Sequence, residues 1–168
     1  SITYHQGAKD AHQIVEEIVS NGGVARHAQF DALSDKDKYF DNTPNHLRFT
    51  HLYYFATPKI FTAVAGVFSP ALFTKFCNYY IDGFLNTLKH LVNNGMTNVF
   101  YPSSVAVDGP VSNMSEYVAA KLAGETVCKF VQNNNSSIRV YCPRLPRMST
   151  DQTVTLLPYE SQNPGPIM

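Results

Sequence analysis

The sequence lacks the features that mark several common kinds of protein. It contains no Gly-x-Gly-x-x-Gly stretch, no Cys-x-x-Cys pair, and no apolar run near the roughly 20 residues that a membrane helix needs. Thirteen Lys and Arg residues balance thirteen Asp and Glu residues, so no excess of positive charge favours nucleic acid or an anionic membrane. We therefore expect no nucleic-acid partner and no membrane insertion.

The cysteines are few and widely spaced. Cys77, Cys128 and Cys142 are odd in number and form no ligand pattern, which argues against a disulfide framework and against a zinc site. The six histidines are scattered in the same way. We expect no metal, and a reducing compartment such as the cytoplasm.

The length of 168 residues, with 44% hydrophobic residues, predicts a single domain over residues 1–168. The chain starts at Ser1 rather than Met and stops at Met168 after a Pro-rich stretch. We expect an excerpt of a longer polypeptide, truncated at both ends.

Apolar periodicity predicts strands that alternate with helices. Helical spacing of apolar residues recurs over 11–19 and 76–91, and a further helix is expected from Ser115 to about Val131. Short β-branched and aromatic runs predict strands at 1–5, 24–30, 51–56, 97–101 and 138–142. This alternation predicts an α/β fold with a mainly parallel, doubly wound, Rossmann-like sheet. The segment 59–70, rich in Gly and Pro, predicts no definite conformation.

One constellation lies where such a sheet places its working site, at the carboxyl end of a strand. The predicted strand 97–101 runs into Ser103 and Ser104, and thirteen residues after Ser104 comes Tyr117. Lys121 follows Tyr117 by four residues, so both side chains lie on one helix face and can converge on one point.

The Ser104, Tyr117-x-x-x-Lys121 pattern resembles the signature of the short-chain dehydrogenase/reductase family. The resemblance covers nearly the whole chain, and the stretches 103–106 and 117–125 are its most specific part. It implies an NAD(P)-dependent oxidoreductase that interconverts a ketone and an alcohol. The substrate would be a small carbonyl compound, or a carrier-bound β-keto thioester if the domain is a ketoreductase within a multidomain synthase.

The resemblance gives each member of this set a role. Tyr117 would donate the proton to the developing alkoxide, and Lys121 would lower the pKa of that phenol and hold the nicotinamide ribose. Ser104 would hydrogen-bond the substrate carbonyl, with Ser103 as the fallback if the register differs by one residue.

Other family positions match with less specificity. The resemblance places Asp31 near the adenine, Ala56 and Thr57 at the family's Asn-Asn-Ala-Gly turn, and Asn78 near the helix asparagine of its proton relay. After the last strand, Pro143 fits the family's Pro-Gly, Arg144 departs from it, and Thr150 matches a threonine that meets the nicotinamide amide. Because no acidic residue ends the first strand, at Tyr4, His5 and Gln6, we expect NADP rather than NAD.

The family's glycine-rich phosphate turn, TGxxxGxG, is missing, and by order of elements the chain begins at the family's second strand. Either the first βα unit lies in another segment, or the fold is a degenerate scaffold for dimerisation or docking. A third alternative is a sugar-nucleotide epimerase or dehydratase of the family's extended branch. By analogy with the family, we also expect a homo-oligomer, commonly a dimer, or a part of a larger polypeptide.

Overall fold

The structure is a computed structural model that describes residues 1–34, 48–60, 67–93, 95–109 and 113–147. It divides into two compact units, Ser1–Leu47 and Arg48–Met168. That residues 1–168 form one domain stays a prediction. Among the described helices, none is long and apolar enough to cross a membrane.

The first unit is one βαβ arrangement. Strand β1, Ile2–Tyr4, is followed by helix α1, Ala8–Ser20, and strand β2, His27–Gln29, pairs with β1 in parallel. The helix stops where Gly22 adopts a φ of 84°, a left-handed conformation that glycine allows without steric cost. The predicted helix and first strand are confirmed. The predicted strand 24–30 is shorter, since only its last part pairs with β1.

The second unit is built on a parallel three-stranded sheet of order β3-β4-β6. These strands are His51–Tyr53, Asn98–Phe100 and Arg139–Tyr141. Two short strands, β5 at Ser103–Ser104 and β7 at Arg144–Leu145, pair in parallel beyond them. The Tyr101 N–H donates to the Tyr141 carbonyl at 2.9 Å. This hydrogen bond extends the β4–β6 pairing beyond the end of β4, in the direction of the β5–β7 pair.

The second unit also contains one long helical segment. Helix α2, Pro70–Cys77, runs through a π-helical segment, Asn78–Gly83, into helix α3, Phe84–Asn93. This segment begins earlier than its apolar spacing predicted, at the end of the stretch 59–70 for which no definite conformation was predicted. At its start the Ser69 hydroxyl accepts from the Leu72 N–H at 3.3 Å, and Pro70 occupies the first turn of the helix. The apolar residues that recur at helical spacing over 76–91 lie in the core, because they are almost wholly buried: Phe76, Tyr80, Phe84, Leu88 and Leu91.

Helix α4, Ser115–Asn134, carries the functional candidates. A 3-10 helix, Val105–Asp108, follows β5 and precedes it. The buried face of α4 consists of two adjacent rows of residues at four-residue steps, the first made of Glu116, Ala120, Gly124 and Cys128 and the second of Tyr117, Lys121 and Glu125. A Cβ atom at Gly124 would collide with the Tyr101 ring and hydroxyl, so glycine here lets α4 approach the end of β4 closely. Parallel strands joined by helices confirm the predicted α/β class.

Candidate active site

The structure brings Ser104, Tyr117 and Lys121 to one place. Tyr117 and Lys121 lie one turn apart on the buried face of α4, and each is 7% exposed. The Ser104 hydroxyl accepts from the Ala106 N–H at 3.2 Å, which caps the 3-10 helix. That hydroxyl also lies close enough to the Tyr117 phenol to lower the pKa of the phenol. The three predicted side chains therefore meet at the carboxyl ends of β4 and β5.

The electrostatics of Tyr117 differ from the prediction. Burial raises the pKa of the Tyr117 phenol above its ordinary value of 10.0, and the neighbouring Ser104 hydroxyl opposes that rise only in part. The predicted lowering of this pKa by Lys121 is wrong for this structure. The ammonium is 5.8 Å from the centroid of the Tyr117 ring and is directed to other partners.

Those partners are one carbonyl and a set of aromatic rings. The Lys121 Nζ donates to the Pro102 carbonyl at 2.8 Å and lies 4.0 Å from the centroid of the Tyr80 ring. The Tyr101 ring centroid is 5.4 Å from the same nitrogen. Burial lowers the pKa of Lys121 to about 8, because a desolvated ammonium is disfavoured.

Ser103, the alternative serine, has a different partner. Its buried hydroxyl donates to the Glu125 Oε1 at 2.5 Å. The Arg144 guanidinium also donates to Glu125, from Nε at 2.9 Å and from Nη2 at 2.7 Å, and its Nη1 pairs with Asp108. The hydrogen bonds from Arg144 and Ser103 lower the pKa of Glu125. This network ties α4, β5, β7 and the 3-10 helix together, and it assigns Ser103 a structural contact.

Sequence reasoning missed Glu125, although a signal was present. Glu125 follows Lys121 by four residues and so shares the buried face of the helix, where an acidic side chain needs a partner. Arg144, which departs from the family's glycine, is that partner.

Of the residues predicted near the cofactor, Ala56 and Thr57 are half-buried and Asn78 is exposed. The Thr57 hydroxyl, which follows β3, lies 2.6 Å from the Tyr80 hydroxyl and donates to the Pro58 carbonyl at 3.1 Å, and Ala56 beside it is half-buried. Asn78 opens the π-helical segment with an exposed side chain. Tyr80, two residues later, is the residue of that segment that contacts Lys121. The predicted relay role of Asn78 stays a prediction.

Pro143 and Thr150 follow the last long strand. The Pro143 carbonyl accepts from the Ser103 N–H at 2.8 Å, which starts the β5–β7 pairing. Thr150 lies outside the described residues. Their predicted contacts with a cofactor stay predictions.

Asp31 belongs to the first unit, directly after β2. Its carboxylate accepts from the Leu33 N–H at 2.9 Å and the Ser34 hydroxyl at 2.8 Å, and it lies 3.9 Å from the His5 Nδ1. The hydrogen bond from the Leu33 backbone is the main cause that lowers the pKa of Asp31. An acidic group thus lies beside the end of β1 although the sequence of β1 supplies none. Over the described parts of the chain, no cluster of three His, Cys, Asp or Glu residues could hold a metal ion.

No family model matches the sequence, and no curated protein matches it. Solved structures match its fold. A dehydrogenase/reductase from Sinorhizobium meliloti 1021 superposes with a TM-score of 0.77 at 18% identity, covering 89% of this chain and 62% of that structure. The landomycin C-6 ketoreductase LanV, with bound NADP and rabelomycin, gives 0.73 at 17% identity over 90% and 66% of the two chains.

A metagenomic short-chain oxidoreductase in complex with NADP gives a TM-score of 0.70 at 19% identity, covering 88% of this chain and 69% of that one. The chain spans 64% of an acetoin dehydrogenase from Enterobacter cloacae that it also matches, so it corresponds to less than two thirds of that structure. The chain therefore has the α/β, Rossmann-like fold of short-chain dehydrogenase/reductase structures.

Proposed function

We propose that the chain belongs to the short-chain dehydrogenase/reductase family and carries the catalytic set of an NAD(P)-dependent reductase that converts a ketone to an alcohol. The observation that carries this proposal is the meeting of Ser104, Tyr117 and Lys121 at the carboxyl ends of β4 and β5. Tyr117 and Lys121 are buried, so the groups work in a site of low polarity where each hydrogen bond has a large effect.

The chemistry of the site fits proton donation. In this proposal Ser104 and Tyr117 hydrogen-bond the substrate carbonyl oxygen, and Tyr117 passes its proton to that oxygen as negative charge develops. A nicotinamide cofactor, when bound, supplies the hydride. Because burial raises the pKa of Tyr117 above its ordinary value, the phenol is protonated at neutral pH, which is the form that a reductase requires.

The described residues fit the nicotinamide end of such a cofactor. The Lys121 ammonium carries three donors, and one of them is occupied by the Pro102 carbonyl. A ribose hydroxyl could accept from another, and Ala56 and Thr57 would line the same side of the sheet. For the pyrophosphate, the sequence has no Gly-x-Gly-x-x-Gly turn.

We infer NADP as the cofactor and a carbonyl compound, small or carrier-bound, as the substrate. The first inference is supported by NADP in several of the matched solved structures, among them a gluconate 5-dehydrogenase from Burkholderia cenocepacia J2315. The second is supported by the ketoreductase among them. We further propose that Asp31, Pro143 and Thr150 contact this cofactor, and that the protein is a homo-oligomer or part of a larger polypeptide.

Binding of NADPH and of NADH to the intact protein tests the proposal. Nucleotide fluorescence is followed as protein is added, and oxidation of the nucleotide is then measured with the N-acetylcysteamine thioester of a β-keto acid and with a simple cyclic ketone. The proposal predicts saturable binding, tighter for NADPH, and consumption with at least one ketone. Failure of both nucleotides to bind would contradict it.

A second candidate is a reductase-like scaffold without catalysis. The absence of the glycine-rich turn favours it, because the pyrophosphate then lacks its usual helix N-terminus. The scaffold predicts no nucleotide binding, so the same titration separates the two candidates.

A further inference from the structure

Tyr80 is a buried residue whose ring lies against the ammonium group of Lys121. It is 1% exposed, and the centroid of its ring is 4.0 Å from the Lys121 Nζ, nearer than those of Tyr101 and Tyr117. The electron-rich face of a phenol attracts a cation at this distance, and more strongly where water is excluded.

The Tyr80 side chain is anchored at its far end. Its hydroxyl lies 2.6 Å from the Thr57 hydroxyl, within hydrogen-bond distance, and the Thr57 hydroxyl lies 3.1 Å from the Pro58 carbonyl oxygen. The Phe76 ring stacks on it with a centroid distance of 5.8 Å and an interplanar angle of 8°. These contacts leave the ring little freedom to turn away from Lys121.

The π-helical segment fixes the backbone of Tyr80 as well. A π-helical turn frees carbonyl groups from the regular α-helical ladder. The Tyr54 hydroxyl donates to the Tyr79 carbonyl at 2.7 Å, and the Tyr101 hydroxyl donates to the Tyr80 carbonyl at 3.0 Å. Strand ends therefore hold the segment at the position from which Tyr80 reaches Lys121.

Few other groups compensate the charge of Lys121. The Pro102 carbonyl accepts its hydrogen bond at 2.8 Å. Among the described residues, the titratable groups that face it are the Cys142 thiol after β6 and, from its own helix, the Cys128 thiol and the Glu125 carboxylate, whose negative charge favours the charged form of Lys121. Glu125 is already bound by Ser103 and Arg144. Tyr101 and Tyr117 add their more distant rings.

We propose that Tyr80 is a positioning residue of this site, whose ring holds the Lys121 ammonium against the Pro102 carbonyl and keeps it charged. The contact itself does not depend on the reaction. Its catalytic consequence rests on the proposed reductase function, in which a charged Lys121 binds the cofactor ribose.

The test replaces Tyr80 with Phe and then with phenylalanines that carry one, two and three ring fluorines. Fluorine withdraws electron density from the ring face with little change in shape, so folding is preserved while the attraction weakens. The pKa of Lys121 is read by NMR in protein labelled with 13C at the lysine Cε, and a Lys121→Arg variant assigns the signal.

The proposal predicts a graded fall. Tyr80→Phe keeps the ring face and leaves the pKa of Lys121 nearly unchanged, whereas the trifluorinated ring lowers it by about one pH unit, a tenfold change in the ionisation constant. Tyr141→Phe is the control, since it also removes a tyrosine hydroxyl but lies at an exposed position away from the ammonium and from the contacts that hold Tyr80. A pKa that is constant along the fluorinated series would overturn the proposal.

Kinetics provide the second readout. If the reductase proposal holds, the fluorinated series raises KM for the nucleotide more than it lowers kcat, because Lys121 acts by binding the ribose. A fall in kcat alone, with KM and the pKa of Lys121 unchanged, would overturn the positioning role. A protein that turns over no nucleotide refutes the reductase proposal, and the NMR titration then still decides the contact between Tyr80 and Lys121.

Discussion

The guanidinium of Arg144 grips the carboxylate of Glu125 with two parallel hydrogen bonds, from Nε to Oε1 at 2.9 Å and from Nη2 to Oε2 at 2.7 Å. Such a two-point contact fixes direction as well as distance. It joins β7 to α4, one turn beyond Lys121, and Ser103 donates to the same carboxylate. The geometry of the candidate site therefore depends on an ion pair whose members touch neither Tyr117 nor Ser104 in the contacts described above.

Replacing Glu125 by Gln should destabilise the protein by about 1 kcal/mol, a modest figure because Arg144 is 40% exposed and water screens the pair. The folded-state pKa of Glu125 lies below its ordinary value of 4.5, so the contribution is complete above that pH and is lost as the pH falls through the lowered pKa. Urea unfolding of both proteins at pH 7 and at pH 3 checks this. A stability difference that is larger at pH 3 would contradict the assignment.

The two neighbouring serines should give opposite phenotypes. Ser104→Ala removes a hydroxyl beside Tyr117 and should lower turnover by about 100-fold with little change in stability. Ser103→Ala removes a buried donor to a carboxylate and should cost about 1–2 kcal/mol of stability with a small effect on turnover. Parallel measurements of kcat and of urea midpoints separate them. The reverse pattern would show that Ser103 is the substrate-facing serine.

Gly124→Ala should disturb the packing of α4 against the end of β4. The added methyl group would meet the Tyr101 ring and hydroxyl, and overpacking of this kind costs about 1–3 kcal/mol. Gly109→Ala is the matched control, because a Cβ atom there has no neighbour within 4 Å. Thermal unfolding of both variants checks the prediction, which equal stability of the two would refute.

Burial of Lys121 should make stability rise with pH. Its folded-state pKa of about 8 lies below the ordinary 10.5, so between these values the folded protein releases a proton that the unfolded chain keeps. The free energy of unfolding then increases with pH, by about 2 kcal/mol from pH 8 to pH 10. The check is to measure the free energy of unfolding of the wild type and of the Lys121→Met variant across this pH range and to take the difference. The thiol ionisations are common to both proteins and cancel in that difference. A difference that is flat with pH would show that Lys121 keeps its ordinary pKa.

Local patterns were sufficient to predict much of this fold. Apolar spacing over 11–19 and 76–91 predicted α1 and most of the helical segment 70–93, and a helix was expected from Ser115, where α4 begins. The stretch that runs into Ser103 and Ser104 marked the end of a strand. The four-residue step from Tyr117 to Lys121 fixed their common face, since helical geometry follows from sequence distance alone.

What could not be predicted depends on contacts between distant segments. The π-helical turn at Asn78–Gly83 is held by the hydroxyls of Tyr54 and Tyr101, which come from two different strand ends. The aromatic ring nearest to the Lys121 ammonium likewise belongs to Tyr80, 41 positions earlier in the sequence, and not to its helix neighbour Tyr117. The sign of the Tyr117 pKa shift follows from burial, which single-sequence patterns do not report.

The most direct test of the central claim is the turnover of NADPH by the intact protein and its Tyr117→Phe variant, with the β-keto thioester as substrate. The phenylalanine ring preserves packing against Phe76 and Tyr80 but has no proton to give. We expect unchanged nucleotide binding and a fall in kcat of at least about 100-fold, while Tyr141→Phe, an exposed tyrosine, leaves kcat unchanged. A Tyr117→Phe protein that turns over NADPH as fast as the wild type would contradict the account.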